Sequence, residues 1–366
     1  MSSQAQPLTL SAIQRLTPSV GYIAGWTGTG LGLAKTSDGG TTWHRYPIPV
    51  SHLTALRFID EHIGWAGGFA DRDVPQIACQ QAAPTAAQPC KGVVLRTEDG
   101  GATWQTVLAI PTDGVVGEPI LQIQAVDGQR AWALTIDQSP CQYPCLSYVQ
   151  RTTDGGRTWT AVLHGQVAAI RFASASRGWA ALNNTPSPGV AEVLETSDGG
   201  STWVTGLRTT TGDAYGLDAA TIYTAWLLTR NGGYCSSSNC SNYTLFRTDN
   251  GGRNWSSLGN PKDFATCSGG HLAGPLFASA GRGWLGLNLG AGGANVGPGG
   301  ILKSEDGGRT WRCTTAAQNS SLISAADSLH VWAGGEDRAT QSTALYTTED
   351  AGSTWHPLNL SSLESP

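Results

Sequence analysis

Short alternations of apolar and polar residues recur from one end of this chain to the other. Residues 53–58 and 64–67 form one pair of such runs, and residues 168–172 and 178–182 form another. Polar turns at 60–62 and 173–177 join the members of each pair. Alternation of period two, broken by Gly, Asp and Ser, predicts strands. No stretch carries a sustained helical period. Each unit reads as strand a, a polar turn, strand b, a variable loop, strand c, an Asp-bearing turn and strand d.

The Asp-bearing turn is written seven times. It runs Thr-Ser-Asp-Gly-Gly-Thr-Thr-Trp at 36–43 and recurs at 97–104, 152–159, 196–203, 248–255, 304–311 and 348–355. Asp38, Asp99, Asp154, Asp198, Asp306 and Asp350 hold the carboxylate position. Asn250 replaces it in the fifth copy, and Ala351 replaces the first glycine in the seventh. An Asp or Asn at this place accepts hydrogen bonds from main-chain N–H groups just downstream and fixes the turn. The glycines permit positive φ, and Thr and Trp favour the strand that follows.

The 14 tryptophans follow the same repeat. Trp43, Trp104, Trp159, Trp203, Trp255, Trp311 and Trp355 close the turns. Trp26, Trp65, Trp132, Trp179, Trp226, Trp284 and Trp332 lie upstream, one per unit. Successive turn tryptophans are 61, 55, 44, 52, 56 and 44 residues apart, the period of a four-stranded propeller blade. Burying one Trp removes roughly 150–250 Å² from water, an upper bound of roughly 4–6 kcal/mol. Residues this costly to expose, at regular register, read as blade packing. The predicted fold is all-β: one seven-bladed β-propeller over residues 7–360, four antiparallel strands per blade, with the Asp turn between strands c and d. Blades fall near 8–47, 50–109, 119–164, 166–207, 213–258, 270–314 and 320–360, with flexible tails at 1–6 and 361–366.

The turn motif resembles the Asp-box, or BNR repeat, in all seven units. Asp-boxes occur in sialidases, xyloglucan-degrading hydrolases, sortilin-type receptors and photosystem II stability/assembly factors. Seven units in one chain look most like the last group, within a wider class of WD40- and YVTN-like propellers. That resemblance implies a non-enzymatic scaffold for protein binding, and an arginine patch as its contact. Arg130, Arg177 and Arg282 in the a–b turns, with Arg57 and Arg171 near the ends of strands a, are the arginines available for one. A sialidase would require an arginine triad with an Arg-Ile-Pro motif, from which Arg15-Leu16-Thr17-Pro18 departs.

Charge and composition narrow the function classes. A net charge of −5 does not suggest a nucleic-acid binder. No run of 18 apolar residues is present to span a membrane, and residues 1–10 do not read as a signal peptide. Eight cysteines form local pairs, Cys79–Cys90, Cys141–Cys145 and Cys235–Cys240, leaving Cys267–Cys313. Even, local pairing favours disulfides and a secreted, periplasmic or cell-surface location. Free buried thiols in a cytosolic protein are the alternative. The pairs lack the four convergent ligands of a zinc site, and no metal or cofactor is expected. His44, His52, His62, His164, His271, His330 and His356 show no ligand spacing. No phosphate loop, nucleophile elbow or zincin motif appears, and the glycine-rich run at 290–300 lacks a surrounding βαβ unit.

Function is expected where length varies. From upstream Trp to turn Trp is 17 residues in the first unit and 39, 27, 24, 29, 27 and 23 in the others, whereas the Asp turns never change length. The b–c loops, pinned by the proposed disulfides, are therefore the expected ligand side. Arg72, Tyr143, Arg230, Tyr234 and Arg338 are the binding candidates there, beside Asp137, Tyr148 and Asn231. The expected partner is a protein or carbohydrate met by a monomer. The alternative is a glycoside hydrolase with Asp71, Asp73, Glu336 and Asp337 as candidate acid and base. The Asp-turn carboxylates each serve their own turn and do not converge on a site.

Overall fold

The computed structural model describes residues 8–27, 30–50, 52–69, 92–110, 120–136, 146–183, 189–231, 242–264, 271–288, 300–314, 320–337 and 342–363. The strands form seven four-stranded antiparallel sheets, each ordered as the chain runs. This is the expected all-β class, a seven-bladed β-propeller with four antiparallel strands per blade. The blades span residues 9–46, 52–109, 120–165, 167–209, 213–259, 271–314 and 322–357. Helix among the described residues is confined to two 3-10 turns, Pro261–Phe264 and Ser361–Leu363. No described helix is long and apolar enough to cross a membrane. The chain divides into two compact units, residues 1–167 with 360–366 and residues 168–359.

Every Asp turn is built alike. In the first, Thr36 Oγ1 donates to Asp38 Oδ1 (2.7 Å) and accepts from Gly40 N (2.9 Å). Asp38 also accepts from Thr42 N (2.9 Å) and Thr42 Oγ1 (2.6 Å). Gly39 and Gly40 take φ of 74° and 102°, which their missing Cβ allows. Asn250 keeps the turn through one oxygen, accepting from Thr248 Oγ1 and Asn254 N at 3.0 Å each. Ala351 adopts φ 62° in place of glycine. The first turn glycine then donates its N–H to a carbonyl of the a–b turn in the same blade. The donors are Gly39, Gly100, Gly155, Gly199, Gly251, Gly307 and Ala351, at 2.7–2.9 Å. Each blade thus has its a–b and Asp turns at one end and its b–c loop at the other.

The upstream aromatic opens strand b rather than closing it. Trp65, Trp132, Trp179, Trp226, Trp284 and Trp332 are each the second residue of their strand and are fully buried. In blade 1 that place belongs to Tyr22, not to Trp26 as the tryptophan count suggested. Tyr22 pairs with Lys35 as Trp65 pairs with Arg96 and Trp226 with Arg247. It stacks on Phe58 with centroids 3.5 Å apart, as Trp226 stacks on Phe277 at 3.6 Å. The position needs a flat ring to lie against a neighbour, and a phenol meets that need.

Within the first unit, blades 1 and 2 are joined by Gln14. Its Nε2 donates to Phe58 O (2.8 Å) and its Oε1 accepts from Phe58 N (2.6 Å). Blades 2 and 3 meet where Trp65 lies edge-on to Trp159 and where Arg96 donates to Gly128 O (3.0 Å). Residues 361–363, expected in a tail, form a 3-10 turn, and Leu363 is buried in the apolar pocket that it lines with Leu8, Leu10 and Ile23. Within the second unit, Arg171 pairs with Asp218 (2.8 Å), whose other oxygen accepts from Phe277 N (2.5 Å). Trp179 Nε1 donates to Gly251 O (3.3 Å) and Trp226 Nε1 to Gly307 O (2.9 Å).

Two measurements test the turn. Thr97→Val keeps the side-chain volume but leaves the buried Gly101 N–H, now bonded to Thr97 Oγ1 at 3.0 Å, without its acceptor. Chemical denaturation should show a loss of about 1–3 kcal/mol. Thr97→Ser should stay close to wild type, because Ser304 makes the same bonds in blade 6 (2.9 and 2.8 Å).

The second concerns acid. The hydroxyls of Thr42, Thr103, Thr158 and Thr202, then the backbone N–H groups of those residues, hold the carboxyls of Asp38, Asp99, Asp154 and Asp198 at a pKa of about 2, against an ordinary 3.8. A pKa lowered by folding contributes stability that is complete above the unfolded value and lost as pH falls through the folded one. Thermal midpoints should therefore fall between about pH 4 and pH 2. Replacing those four aspartates by Asn, as blade 5 does naturally, should flatten that fall. An unchanged slope would separate the turns from acid unfolding.

Candidate functional site at the b–c end of blade 5

Most residues expected at the b–c ends lie outside the described residues: Asp71, Arg72, Asp73, Asp137, Tyr143, Tyr234 and Arg338, with Cys79, Cys90, Cys141, Cys145, Cys235, Cys240 and Cys267. Cys313 is disulfide-bonded. Glu336 and Asp337 end the strand Val331–Asp337, paired with Thr343 and Ser342, and their side chains are outside the description. Tyr148 lies on Ser147–Thr152, its ring 4.7 Å from that of His164. Arg230 is the binding candidate that lies among the described residues.

Arg230 stands near the end of strand b, Ala225–Asn231, between Asp213 of strand a (Asp213–Ala219) and Tyr243 of strand c (Asn242–Thr248). A bulge between Ala214 and Gly216 interrupts the pairing of strands a and b and turns Tyr215 outward. Tyr215 is 36% exposed, and the Arg230 guanidinium lies over its ring at 4.6 Å from the centroid. That distance is within range of a cation–π contact. Arg230 stands opposite Tyr243 in the register of strands b and c, and its charge favours the Tyr243 phenolate. Tyr243 is buried, and its oxygen accepts from Leu272 N of blade 6 (3.1 Å). Burial is the main cause raising the Tyr243 pKa, so the phenol stays protonated.

The connector from blade 4 packs against the same strand end. A Cβ on Gly212 would meet the Arg230 carbonyl at 2.4 Å, so only glycine fits there. Gly212 N donates to Gly189 O (3.1 Å), and Gly189 N donates to Asp213 Oδ1 (2.8 Å). Ala214 N donates to Asn183 Oδ1 (2.7 Å). On the other face of strand b, Thr209 and Thr211 hydroxyls are 3.1 Å apart, and Thr211 lies 2.9 Å from the fully buried Thr229. The 3-10 turn Pro261–Phe264, which packs on strand c, adds a second cation, Lys262, whose pKa burial pushes down.

This arrangement fixes a planar cation rather than a proton donor. Arg stays protonated, and its fork of donors matches a carboxylate. Asp213, opposite Arg230 in the register, gives an oxygen to a backbone N–H instead. No ion pair joins Arg230 to a described carboxylate, and no metal-binding cluster exists among the described residues. Sequence reading found Arg230 through its place beside a variable loop. It missed Tyr215, Tyr243 and Asp213. A usable signal was Tyr215 itself, a large aromatic at a solvent-facing position of an alternating strand.

The a–b arginines are differently placed. Arg130 pairs with Asp127 (2.6 Å) and Arg177 with Glu195 (3.1 Å), while Arg282 donates to Ser328 O (3.0 Å). Arg177 and Arg282 tie neighbouring turns together, whereas the Arg130–Asp127 pair is exposed, and a pair of that kind contributes little stability.

No family model matches the chain, and no curated protein is similar to it in sequence. Solved structures are similar in fold. YCF48 bound to a D1 peptide superposes with a TM-score of 0.57 at 18% identity, over 90% of this chain and 90% of that one. The β-propeller domain of the trilobed protease from Pyrococcus furiosus gives 0.58 at 9% identity, over 97% and 98%. A polysaccharide lyase, an ulvan lyase, gives 0.56 at 10% identity, over 99% of each chain. At such identities the likeness is one of fold, and function has to be argued from the site.

Proposed function

We propose that this chain is a non-enzymatic binding scaffold that presents its b–c ends to a protein or glycan partner. The observation that carries the reading is Arg230, stacked on the exposed Tyr215 and braced by the buried Tyr243, with its facing carboxylate turned to a backbone amide. Stacked Arg and Tyr on rigid strands are the composition of a binding hot spot. The strands that hold them are fixed on both sides by neighbouring blades, so little entropy is lost when a ligand docks.

The repeat supports kinship with photosystem II stability/assembly-factor propellers, and the whole-chain likeness to a YCF48–peptide structure is consistent with a protein partner. A photosystem as partner does not follow from it. Pairing of Cys79–Cys90, Cys141–Cys145, Cys235–Cys240 and Cys267–Cys313 would pin the b–c loops, and it favours an extracytoplasmic location. The glycoside-hydrolase alternative rests on Asp71, Asp73, Glu336 and Asp337. It requires two carboxyls about 5–5.5 Å apart, or about 6.5–9.5 Å apart, in one cleft.

The purified chain, screened on a glycan array and in parallel against polysaccharides with a reducing-end assay, should bind without releasing new ends. Release that disappears in Asp71→Asn or Asp73→Asn would replace this reading with the hydrolase one. Intact mass before and after reduction counts the disulfides on the same sample.

A further inference from the structure

None of the seven described sheets is completed by a strand from another blade; each is built from four strands in chain order. The last strand of blade 7 is the shortest of them. It consists of His356–Pro357, both exposed, paired with Thr347 and Tyr346, and Pro357 has no N–H to give. Leu358 N adds one bond to Leu345 O (2.7 Å). The chain then becomes buried again. Leu360 is 7% exposed and Leu363 3%, while Ser361 and Ser362 between them are exposed. A 3-10 turn, closed by Leu363 N donating to Leu360 O (2.8 Å), brings residues three apart to one side, so the two leucines face the same way.

What Leu363 meets belongs to blade 1. It sits in an apolar socket with Leu8, Leu10, Ile23, Leu33 and Ala34. Leu10 pairs with Gly25 and Gly25 with Gly32, which places the socket toward the b–c end of the blade. A Cβ on Gly25 would lie 2.5 Å from Thr9 O and 3.0 Å from Leu8 Cδ1, so glycine lets Leu8 close one wall. The space left beside Leu363 is about 20 Å³, room for a single water and no ligand. Blade 1 also has the shortest b–c connection. Two residues separate Thr27 from Gly30, against four between Asp337 and Ser342 in blade 7, the next shortest. We infer that residues 360–363 are a side-chain latch. Leu363, with Leu360 one turn before it, plugs the socket that the two-residue loop of blade 1 leaves bare. Through Leu358 and Asn359 it holds the short last strand of blade 7 in register. The latch is independent of what the b–c ends bind.

Hydrogen exchange of the full chain, read by mass spectrometry, tests the latch. In Leu363→Asp the plug cannot stay in an apolar socket. The amides of Gly21–Thr27 and Gly30–Thr36 in blade 1 should then lose protection about tenfold or more, together with those of Ser342–Thr348 in blade 7. Ser147–Thr152 in blade 3 should not change. Leu363→Ala should act in the same direction more weakly, and it guards against a folding defect in the Asp variant. Leu363→Met keeps the volume and should exchange like wild type. A flexible Gly/Ser spacer of about six residues inserted after Asn359 separates plug from tether. Blade 1 should keep its protection there, and Ser342–Thr348 should lose it. Wild-type exchange in both Leu363→Asp and Leu363→Ala would overturn the latch. Loss confined to blade 1 would overturn it as well, because the segment would then only cover a surface, and so would a spacer variant that exchanges like wild type in blade 7.

Discussion

Two peptide units of the Asp turn of blade 5 carry bonds that tie the turn into its own blade and to the blade before it. The N–H of the first turn glycine reaches the a–b turn of its own blade, as Gly251 N reaches Tyr223 O at 2.8 Å. The carbonyl of that same glycine accepts from the blade before it, from Trp179 Nε1 at 3.3 Å and Arg177 Nη1 at 3.4 Å. The N–H of the second glycine is held by the threonine hydroxyl, Gly252 N to Thr248 Oγ1 at 2.9 Å, and its carbonyl takes Trp255 Nε1 at 3.0 Å. Inserting or deleting one residue would break bonds within a blade and between blades at once. That explains why the turn keeps its length while the loops at the other end do not.

The same junction sets the composition of the strands beside it. The residue before the turn threonine lies opposite the buried aromatic of strand b, and a long cation there can cover the ring and reach the next blade. Arg247 lies 5.2 Å above the Trp226 ring and donates to Ala280 O and Gly307 O at 2.9 and 3.0 Å. Blade 4 exchanges the charges. Glu195 stands opposite Trp179, and the cation comes from the a–b turn as Arg177, 3.1 Å away. Either arrangement neutralises a charge packed on a ring, so the pair of positions is constrained more tightly than either one.

Much of this was legible in sequence, because the turn and the ring positions are local. The Asp-Gly-Gly spacing predicted the fold through chemistry that involves only a few successive residues. Blade 1 shows the limit. Counting tryptophans pointed to Trp26, yet Tyr22 stacks on Phe58, and the short 17-residue interval to Trp43 was the sign of a misplaced partner. The site was less visible for a different reason. Arg230 stood out as a charge beside a variable loop, and Tyr215 as an aromatic at a solvent-facing position, but Tyr243 and Asp213 belong to strands whose alternation reads as core. Their convergence depends on a bulge at Tyr215 and on a connector that only Gly212 lets close, and neither is encoded within a single run of residues.

Arginine stacked on an aromatic ring therefore occurs in this fold in two settings. Arg96 over Trp65 and Arg247 over Trp226 have side chains only 12% and 10% exposed, and each pairs with a carboxylate, Glu98 or Asp249. Their rings are fully buried, each donates to a neighbouring blade, and their charge is compensated. Arg230 repeats the stack on a ring that faces solvent, with Tyr243 opposite it in register and the facing aspartate bound to an amide. Burying a charge without a partner is costly, so an uncompensated guanidinium is tolerated only where water or a ligand can supply the missing acceptor. At the Asp-turn end compensation is built in and the arginines hold blades together. At the b–c end no described carboxylate pairs with Arg230, and that difference, rather than the presence of arginine, separates a joint from a candidate site.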